Sequence, residues 1–311
     1  MTKVGIIGGA GFIGSHVTKK FLAEGYDVKV SVRDLSQKEK YAHLHDLENA
    51  SQLELVVMDV QDAAALQTFL QDCEIVIHSG TPFQLAVDNP QEEVFEPTVR
   101  GTENFLHVVS QTPSVQKVVF VASVASLNTA YPMPVPNRLA DYVYTEADEP
   151  YLDTEAIPYC QAKYYADQAV RKFVATHPDP GFEIVSVLPT VVMGKPLSAR
   201  DDSTSVGLQY LFKNKIAPNP FVQMLFDNDV EFGIVSVADV AEGIFRAATT
   251  DGLHGKNYLL NSESYKVSDM TRMLNGEVPV DAARNVYSNA AAKQDLGMQF
   301  QPAHVPLNEW A

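Results

Sequence analysis

The sequence predicts an α/β fold: a doubly wound parallel sheet of the Rossmann type with a smaller C-terminal lobe. Its first half alternates short apolar runs with amphipathic stretches of helical period. The apolar runs are nearly continuous, which is typical of parallel strands covered by helices on both faces. A glycine-rich turn joins the first apolar run to the first amphipathic stretch. These three observations favour one large sheet whose strands are connected through helices.

The predicted elements follow one another in a regular order. Each predicted strand has a short apolar core bounded by turn residues, and the strands are 4–8, 27–33, 53–60, 74–80, 116–123 and 182–189. The predicted helices between them are 15–25, 62–73, a long helix within 89–112, and about 159–175. Residues 126–158 interrupt this alternation and contain five prolines. An irregular stretch of that length inside a compact domain predicts a lid or a binding loop.

The last third of the chain has a weaker pattern. A strand and a helix are predicted within 231–250, and a further strand at 256–262. We therefore predict that residues 1–189 and 231–262 form the doubly wound domain. Residues 190–230 and 263–311 are predicted to form a smaller lobe that binds substrate.

Composition excludes several classes of partner. The 311 residues include 23 basic and 39 acidic side chains, which gives a formal net charge of −16. So acidic a surface repels nucleic acid and anionic lipid. No apolar stretch approaches the 18 or so residues of a membrane span, and glycines interrupt the apolar start of the chain. The expected location is therefore the cytoplasm, with no nucleic-acid or membrane partner.

The two cysteines, Cys73 and Cys160, indicate a reduced protein. A disulfide framework would need more cysteines, and neither residue lies in a metal-ligand spacing. We expect two free thiols and no metal site.

The glycine-rich turn predicts a phosphate site. Gly8, Gly11 and Gly14 follow the first strand and open the first helix, with Phe12 and Ile13 between them. Glycines allow a tight turn and a close approach of the backbone to a ligand. The N–H groups and positive dipole end of the helix then face the ligand. This strand–turn–helix context predicts that the turn holds the pyrophosphate of a dinucleotide.

A second cluster of residues predicts acid–base chemistry. Tyr159 lies four residues before Lys163, so their side chains share one face of a helix. A nearby ammonium lowers the pKa of a phenol and prepares it to exchange a proton with a carbonyl oxygen. Ser123 ends a predicted strand at the sheet edge where such folds bind ligands, and Ser126 is an alternative in the loop beyond. Tyr164 and Tyr165 point elsewhere and are predicted to pack.

These motifs resemble the extended short-chain dehydrogenase/reductase superfamily, also called the NAD-dependent epimerase/dehydratase family. GGAGFIGSH has the spacing of that branch. Further segments are similar to the reductases that include dihydroflavonol-4-reductase, cinnamoyl-CoA reductase and microbial ketoreductases: 78–83, 88–106, 118–128, 188–194 and 232–244. The resemblance covers nearly the whole chain.

The resemblance implies further site residues. Asp59 and Val60 match a pair that contacts adenine, and the loop from His78 through Gly80 and Thr81 would follow the cofactor ribose. Pro189 and Thr190 match the segment beside the nicotinamide carboxamide. Two of these positions have a structural alternative: His78 as an ordinary loop residue, and Asn128, which matches a substrate-facing position, as a turn-forming residue.

The end of the second strand decides between NAD and NADP. NAD enzymes place a carboxylate there for the ribose 2′-hydroxyl, but that position is Val32 in this chain. Arg33 follows, and a guanidinium binds a 2′-phosphate through two hydrogen bonds. Asp34 is either a displaced ribose acceptor or a partner of Arg33. The sequence therefore favours NADP(H) over NAD(H).

Two departures from the family pattern reduce the range of activities that we expect. Thr98 occupies a position where sugar epimerases carry Asn. Val124 and Ala125 follow Ser123 where sugar dehydratases carry Asp-Glu, so the acid and base for water elimination are missing.

We expect NADPH-dependent reduction of a small-molecule ketone or aldehyde by a monomer or homodimer. Ser123 would polarise the carbonyl, Tyr159 would deliver the proton, and Lys163 would tune Tyr159 and hold the ribose. A nucleotide-sugar epimerase with internally recycled NAD and a non-catalytic NADP-sensing regulator are the alternatives.

Overall fold

A computed structural model describes residues 2–80, 88–198 and 203–309, which form ten strands in two sheets. The strands are β1 Lys3–Ile7, β2 Asp27–Val32, β3 Leu53–Val57, β4 Ile75–His78, β5 Lys117–Val121, β6 Glu183–Pro189, β7 Val191–Met193, β8 Glu231–Ser236, β9 Asn257–Leu260 and β10 Glu263–Lys266. Seven form a parallel sheet in the order β3-β2-β1-β4-β5-β6-β9, and three form a smaller sheet in the order β10-β8-β7.

Twelve α-helices of the described residues cover both faces of the large sheet and pack against the small one. They are α1 Phe12–Ala23, α2 Ala42–His45, α3 Ala63–Leu70, α4 Gly101–Val109, α5 Val124–Leu127, α6 Pro158–Thr176, α7 Thr204–Asn214, α8 Pro220–Asp227, α9 Val237–Thr249, α10 Val267–Leu274, α11 Ala290–Leu296 and α12 His304–Asn308. A π-helical segment, Gln91–Arg100, leads into α4. No helix of the described ranges is both long and apolar enough to cross a bilayer.

The strand order places a crevice between β1 and β4. The chain builds outward from β1 to β3 on one side and then returns to β4 on the other, so the connections diverge at this point. Ile7 of β1 pairs with His78 of β4, which in turn pairs with Phe120 of β5. In open α/β sheets, ligands bind at the carboxyl ends of the strands on either side of such a reversal.

The large sheet confirms the predicted doubly wound fold. Its strands lie within the predicted ranges extended by at most one residue, because buried parallel strands need the continuous apolar runs visible in the sequence. The predicted long helix is instead a π-helical segment followed by α4, and Pro97 lies inside that segment. Proline lacks the N–H for a regular helical hydrogen bond, which accounts for the irregular geometry. Residues 128–157 form only isolated β-bridges.

β8 and the helix that follows it, α9, connect the small sheet to the large sheet. β8, which the sequence assigns to the doubly wound domain, pairs in parallel with β7 and antiparallel with β10. Helix α9 follows β8 directly and packs against α1. Residues 231–249 therefore contribute a strand to the small sheet and a helix to one face of the large sheet.

Candidate active site

The glycine turn after β1 is tightly closed. The N–H of Gly11 donates to the carbonyl of Gly8 over 3.0 Å. A Cβ on Gly14 would lie 2.1 Å from the same carbonyl oxygen, which no side chain tolerates. Gly8 has a φ of +82°, and Gly80 lies so close that a Cβ on Gly8 would be 3.0 Å from its Cα. The backbones that follow β1 and β4 are therefore in close contact at the crevice.

The N-terminus of α1 is open to an anionic ligand. Its N-cap, Gly11, has no side chain to cap the first-turn N–H groups, and no acidic residue lies in the first turn. Phe12 and Ile13 are both half-buried at this end of the helix. Uncapped N–H groups at a positive helix terminus suit a phosphate group. The predicted dinucleotide turn therefore fits a pyrophosphate.

Arg33, which the sequence predicts to bind the 2′-phosphate of NADP, is exposed directly after β2. The carboxylate of Asp34 accepts hydrogen bonds from the N–H and hydroxyl of Ser36, each over 2.8 Å, and from the amide of Gln37 over 3.0 Å. These bonds hold Asp34 in its own turn and not in an ion pair with Arg33, whereas its alternative role as a displaced ribose acceptor stays a prediction. The guanidinium of Arg33 is exposed and faces solvent beside the buried Val32.

Two predicted adenine contacts lie after β3. Asp59 is exposed and accepts a hydrogen bond from the N–H of Gln61 over 2.9 Å. Val60 is half-buried, and its carbonyl accepts from the Asn104 amide over 2.7 Å. Thr81, predicted to lie along the cofactor ribose, falls outside the described residues.

His78 ends β4 and is part of the core. It is 2% exposed and lies between the rings of Phe105 and Phe120, at centroid distances of 4.7 and 5.4 Å. Neither ring nitrogen has a hydrogen-bond partner among the described residues. Burial, and then the charge of Lys163, lower the pKa of His78 to about 4, so the imidazole is neutral at physiological pH. The fold therefore places His78 in a strand and not in the loop.

Ser123 and Tyr159 meet at the carboxyl end of β5. Ser123 is the N-cap of α5, and its hydroxyl accepts from the N–H of Ala125 over 3.1 Å. The same hydroxyl is hydrogen-bonded to the phenol of Tyr159, which projects from the first turn of α6. Ser126, the alternative candidate, is fully buried and donates to the carbonyl of Ser123 over 2.7 Å. It supports the backbone of Ser123 and does not face Tyr159.

Lys163 lies one turn beyond Tyr159 and is 4% exposed. Its ammonium donates to the carbonyl of Val121, at the end of β5, over 2.9 Å. Burial lowers the pKa of Lys163 to about 7, and Asp167 opposes this effect.

The acidity of Tyr159 differs from the prediction. Burial, and secondarily Cys160, raise the pKa of the phenol above its usual value, while the bond from Ser123 opposes this. We expected Lys163 to lower it. The reason for the difference is that desolvation acts on both groups: it disfavours the phenolate directly and weakens the charge on the lysine.

The remaining groups of the opening turns of α6 are structural. Tyr165 is 41% exposed and packs edge-on against Tyr164, as predicted for packing residues. Cys160 is buried, and burial raises the pKa of its thiol to about 12. Burial likewise raises the pKa of Cys73 to about 11. Both cysteines are free and protonated at neutral pH.

Thr190 and Asn128 are both buried near the site but differ in their bonding. Thr190 follows Pro189 at the end of β6, and its hydroxyl bonds to the carbonyl of Leu260 over 3.3 Å. The amide of Asn128 donates to the carbonyl of Met133 over 2.8 Å and accepts from the N–H of Ala130 over 3.1 Å. It also binds the hydroxyl of Tyr287. In this conformation Asn128 forms a turn, the alternative left open by the sequence.

Asp167 is a residue that the sequence reasoning missed. It lies four residues after Lys163 on α6 and is fully buried. The signal was present, because the same four-residue spacing that links Tyr159 to Lys163 links Lys163 to Asp167.

The family model named NAD dependent epimerase/dehydratase family matches residues 4–260. The chain belongs to this family. The match spans the glycine turn, the helix with Tyr159 and Lys163, and all strands of the large sheet.

Within the family, the chain is similar to curated plant reductases. It is 27% identical to tetraketide alpha-pyrone reductase 1 of Arabidopsis thaliana over 278 residues, which cover 89% of this chain and 81% of that protein. It is 26% identical to a cinnamoyl-CoA reductase of Medicago truncatula, over 98% of this chain and 93% of that protein.

Solved structures of other reductases share the fold. A yeast methylglyoxal/isovaleraldehyde reductase complexed with NADPH superposes with a TM-score of 0.82 at 22% identity, over 99% of this chain and 97% of that one. Vestitone reductase from alfalfa, Medicago sativa, superposes with a TM-score of 0.73 at 18% identity, over 100% and 96% of the two chains.

Proposed function

We propose that this protein is an NADPH-dependent reductase that converts a ketone or aldehyde to an alcohol at a Ser123–Tyr159–Lys163 site. The observation that carries the proposal is the hydrogen bond between Ser123 and Tyr159 at the carboxyl end of β5, with Lys163 one helical turn away. The relatives' names support the general activity, because they are called reductases. Their substrates differ, so the names do not identify the substrate of this chain.

The protein groups are arranged for proton delivery. A substrate carbonyl oxygen held between Ser123 and Tyr159 would accept two hydrogen bonds, which polarise the carbonyl. Because burial raises the pKa of Tyr159, the phenol stays protonated at neutral pH and is available as a donor. The proton transfers as negative charge develops on the substrate oxygen. Lys163, when charged, stabilises the phenolate that remains and can bind the ribose hydroxyls.

NADPH would occupy the crevice between β1 and β4. When bound, it supplies the hydride that adds to the carbonyl carbon. The uncapped N-terminus of α1 would hold its pyrophosphate, and Arg33 would hold its 2′-phosphate. The side chain of Val32 cannot accept a hydrogen bond from the ribose 2′-hydroxyl of NADH, so the end of β2 favours NADPH over NADH. The NADPH complex of the yeast structural neighbour is consistent with this choice.

The small-molecule substrate would enter between the carboxyl edge of the large sheet and the small lobe. We propose that residues 190–230 and 263–311 form this lobe, with the irregular segment 128–157 covering the site. The bridge between Tyr144 and Tyr287 joins that segment to the C-terminal part of the chain. These regions could then change in sequence, and so change which substrate is bound, without any change in the catalytic residues.

The test is NADPH oxidation against a panel of aromatic, aliphatic and steroidal ketones and aldehydes. The wild type should reduce at least one compound, and Tyr159→Phe should lower kcat by 10²-fold or more (~10²–10⁴ for loss of a general acid). Binding of NADPH, followed by its fluorescence, should be nearly unchanged. Tyr165→Phe is the matched control, because it removes an exposed hydroxyl from the same helix.

Cofactor turnover separates the alternatives. A sugar epimerase would give no net change in NADPH absorbance while interconverting nucleotide sugars. A cofactor-sensing regulator would bind NADPH and reduce no member of the panel. Full activity in Tyr159→Phe would contradict the proposed catalytic residue.

A further inference from the structure

The face of α6 that carries the proposed site continues beyond it. Tyr159, Lys163, Asp167 and Arg171 recur at intervals of four residues and therefore lie on one side of the helix. Tyr159 is hydrogen-bonded to Ser123. On the next two turns, Lys163 and Asp167 place a basic and an acidic side chain in the protein interior. Asp167 has no exposed surface at all.

The bonding of Asp167 is incomplete for a buried carboxylate. One oxygen accepts from the guanidinium of Arg171 over 2.6 Å, and the Arg171 side chain is 30% exposed. The other oxygen, Oδ1, is buried and has no hydrogen-bond partner among the described residues. A carboxylate buried with an oxygen unbonded costs several kcal/mol, so a surface-facing ion pair is a poor reason to keep it there.

The buried ammonium of Lys163 can explain why the carboxylate of Asp167 is also buried. Lys163 is buried on α6, a helix that packs against α4, α5 and the π-helical segment, and its ammonium bonds to the carbonyl of Val121 at the end of β5. The titratable and charged groups on these helices, at the carboxyl ends of β4 and β5 and on the near turns of α6 are His78, Glu92, Glu93, Glu96, Arg100, Glu103, His107, Tyr159, Cys160, Tyr164, Tyr165, Asp167 and Arg171. Asp167 is the group that opposes the effect of burial on Lys163. His78 is neutral, so it adds no second cation.

We propose that Asp167 is a positioning residue whose carboxylate is the counter-charge that keeps Lys163 protonated inside the protein. The ammonium is then available to Tyr159 and to the cofactor ribose. That last step rests on the proposed function, whereas the electrostatic effect of Asp167 on Lys163 does not.

The carboxylate acts against a large desolvation effect. The pKa of Lys163 is already lowered to about 7 with Asp167 present. Without the negative charge the pKa falls further, and Lys163 becomes neutral across the physiological range. A neutral amine would not stabilise the Tyr159 phenolate, so the reaction would become slower at neutral and alkaline pH.

Asp167→Asn tests the proposal because it removes the charge and keeps an oxygen for Arg171. The primary measurement is the pH midpoint of Lys163 itself, from the ¹³Cε signal of lysine-labelled protein, assigned with Lys163→Met. We expect the midpoint to fall by at least one pH unit, a tenfold loss of proton affinity. Asp167→Glu keeps the charge and should restore most of the shift.

Arg171→Gln is the matched control. It breaks the same ion pair but keeps the acidic side chain. Burial raises the pKa of Asp167 and Arg171 opposes this most strongly, so the Lys163 midpoint should fall less than in Asp167→Asn. If Asp167→Asn is too unstable for this measurement, the double variant with Arg171→Gln leaves no unpaired guanidinium and should still lower the midpoint. An unchanged midpoint in both would overturn the proposal.

Activity gives a second readout on the same variants. The alkaline limb of kcat/KM, measured with the best-reduced compound of the panel, should move to lower pH together with the Lys163 midpoint. A purely structural role would instead reduce activity equally at every pH. If the midpoint moves and the alkaline limb does not, Asp167 still controls Lys163, but the proposed catalytic role of Lys163 is wrong.

Discussion

Arg33 is the residue that we propose selects NADPH in a protein whose net charge is negative. The net charge of −16 repels a phosphorylated dinucleotide, so binding depends on local groups. Arg33 is exposed at the end of β2, and Asp34 is held by Ser36 and Gln37. The guanidinium is therefore free of its acidic neighbour and can bind a 2′-phosphate through two hydrogen bonds.

Arg33→Glu should weaken NADPH binding far more than NADH binding. The change removes a donor pair for the 2′-phosphate and introduces a carboxylate that can accept from a ribose hydroxyl. We expect the KM for NADPH to rise tenfold or more, which corresponds to loss of a charge-assisted bond of about 1.5–3 kcal/mol. Lys172→Glu is the control, because it changes net charge equally on an exposed turn of α6. Equal effects of Arg33→Glu on both cofactors would remove the assignment.

At the residue scale, the sequence predicts which side chains meet but not their charge states. The four-residue spacing and the strand end are enough to bring together Ser123, Tyr159 and Lys163. The pKa changes of Tyr159 and Lys163 have burial as their largest cause, and burial depends on segments distant in sequence. For the same reason Asp167, whose importance comes from being buried, was not identified.

At the element scale, the unit of β1, its turn and α1 depends on backbone contact. The Gly8 carbonyl lies so close to Gly14 that any side chain at position 14 would displace the turn from the helix. This contact fixes the direction in which the first-turn N–H groups of α1 point. Because we propose that this turn holds the pyrophosphate, we expect stability and cofactor binding to be linked at this position.

Gly14→Ala should damage both properties. We expect the free energy of unfolding to fall by about 1–3 kcal/mol, the usual cost of forcing extra atoms into a packed site. NADPH affinity should fall as the N–H groups move. Gly207→Ala, in α7, is the matched control because a Cβ there meets nothing within 4 Å. It should stabilise the protein by up to about 1 kcal/mol through helix propensity. Equal stabilities of the two variants would contradict the close contact.

The elements that the sequence misassigns are those with the least local signal. The strands of the large sheet are predictable because each is an apolar run with turn residues around it. β7 has only three residues and pairs with β8, and its partner residues lie 43 positions later (Val191 pairs with Ile234), so nothing local marks it as part of a second sheet. The π-helical segment has helical composition, and its geometry follows from Pro97 and its packing against α6.

At the scale of the whole molecule, α9 holds the C-terminal segment against both sheets. Asp239, in the first turn of α9, is 5% exposed and accepts from the N–H of Gln301 over 2.9 Å. Gln301 in turn accepts from the hydroxyl of Ser262, just after β9. A helix that packs on the large sheet and follows a strand of the small one is therefore bonded to the end of the chain.

The acidity of Asp239 makes this junction dependent on pH. Burial raises the pKa of its carboxyl from 3.8 to about 6, while the bonds from Gln301 oppose the change. Between these two values the folded protein binds more protons at this site than the unfolded chain does. Stability contributed by the protonated form is therefore lost as pH rises through about 6. The loss is complete above neutrality, and below pH 4 both states are protonated.

Asp239→Asn should remove this dependence while keeping an oxygen for the Gln301 N–H. Relative to the variant, the wild type should lose about 1 kcal/mol in free energy of unfolding between pH 5 and pH 8. Urea unfolding of both proteins across that range measures the difference, and the other titrating groups cancel because both proteins contain them. Parallel curves for the two proteins would mean that Asp239 keeps the ordinary acidity of an exposed carboxyl.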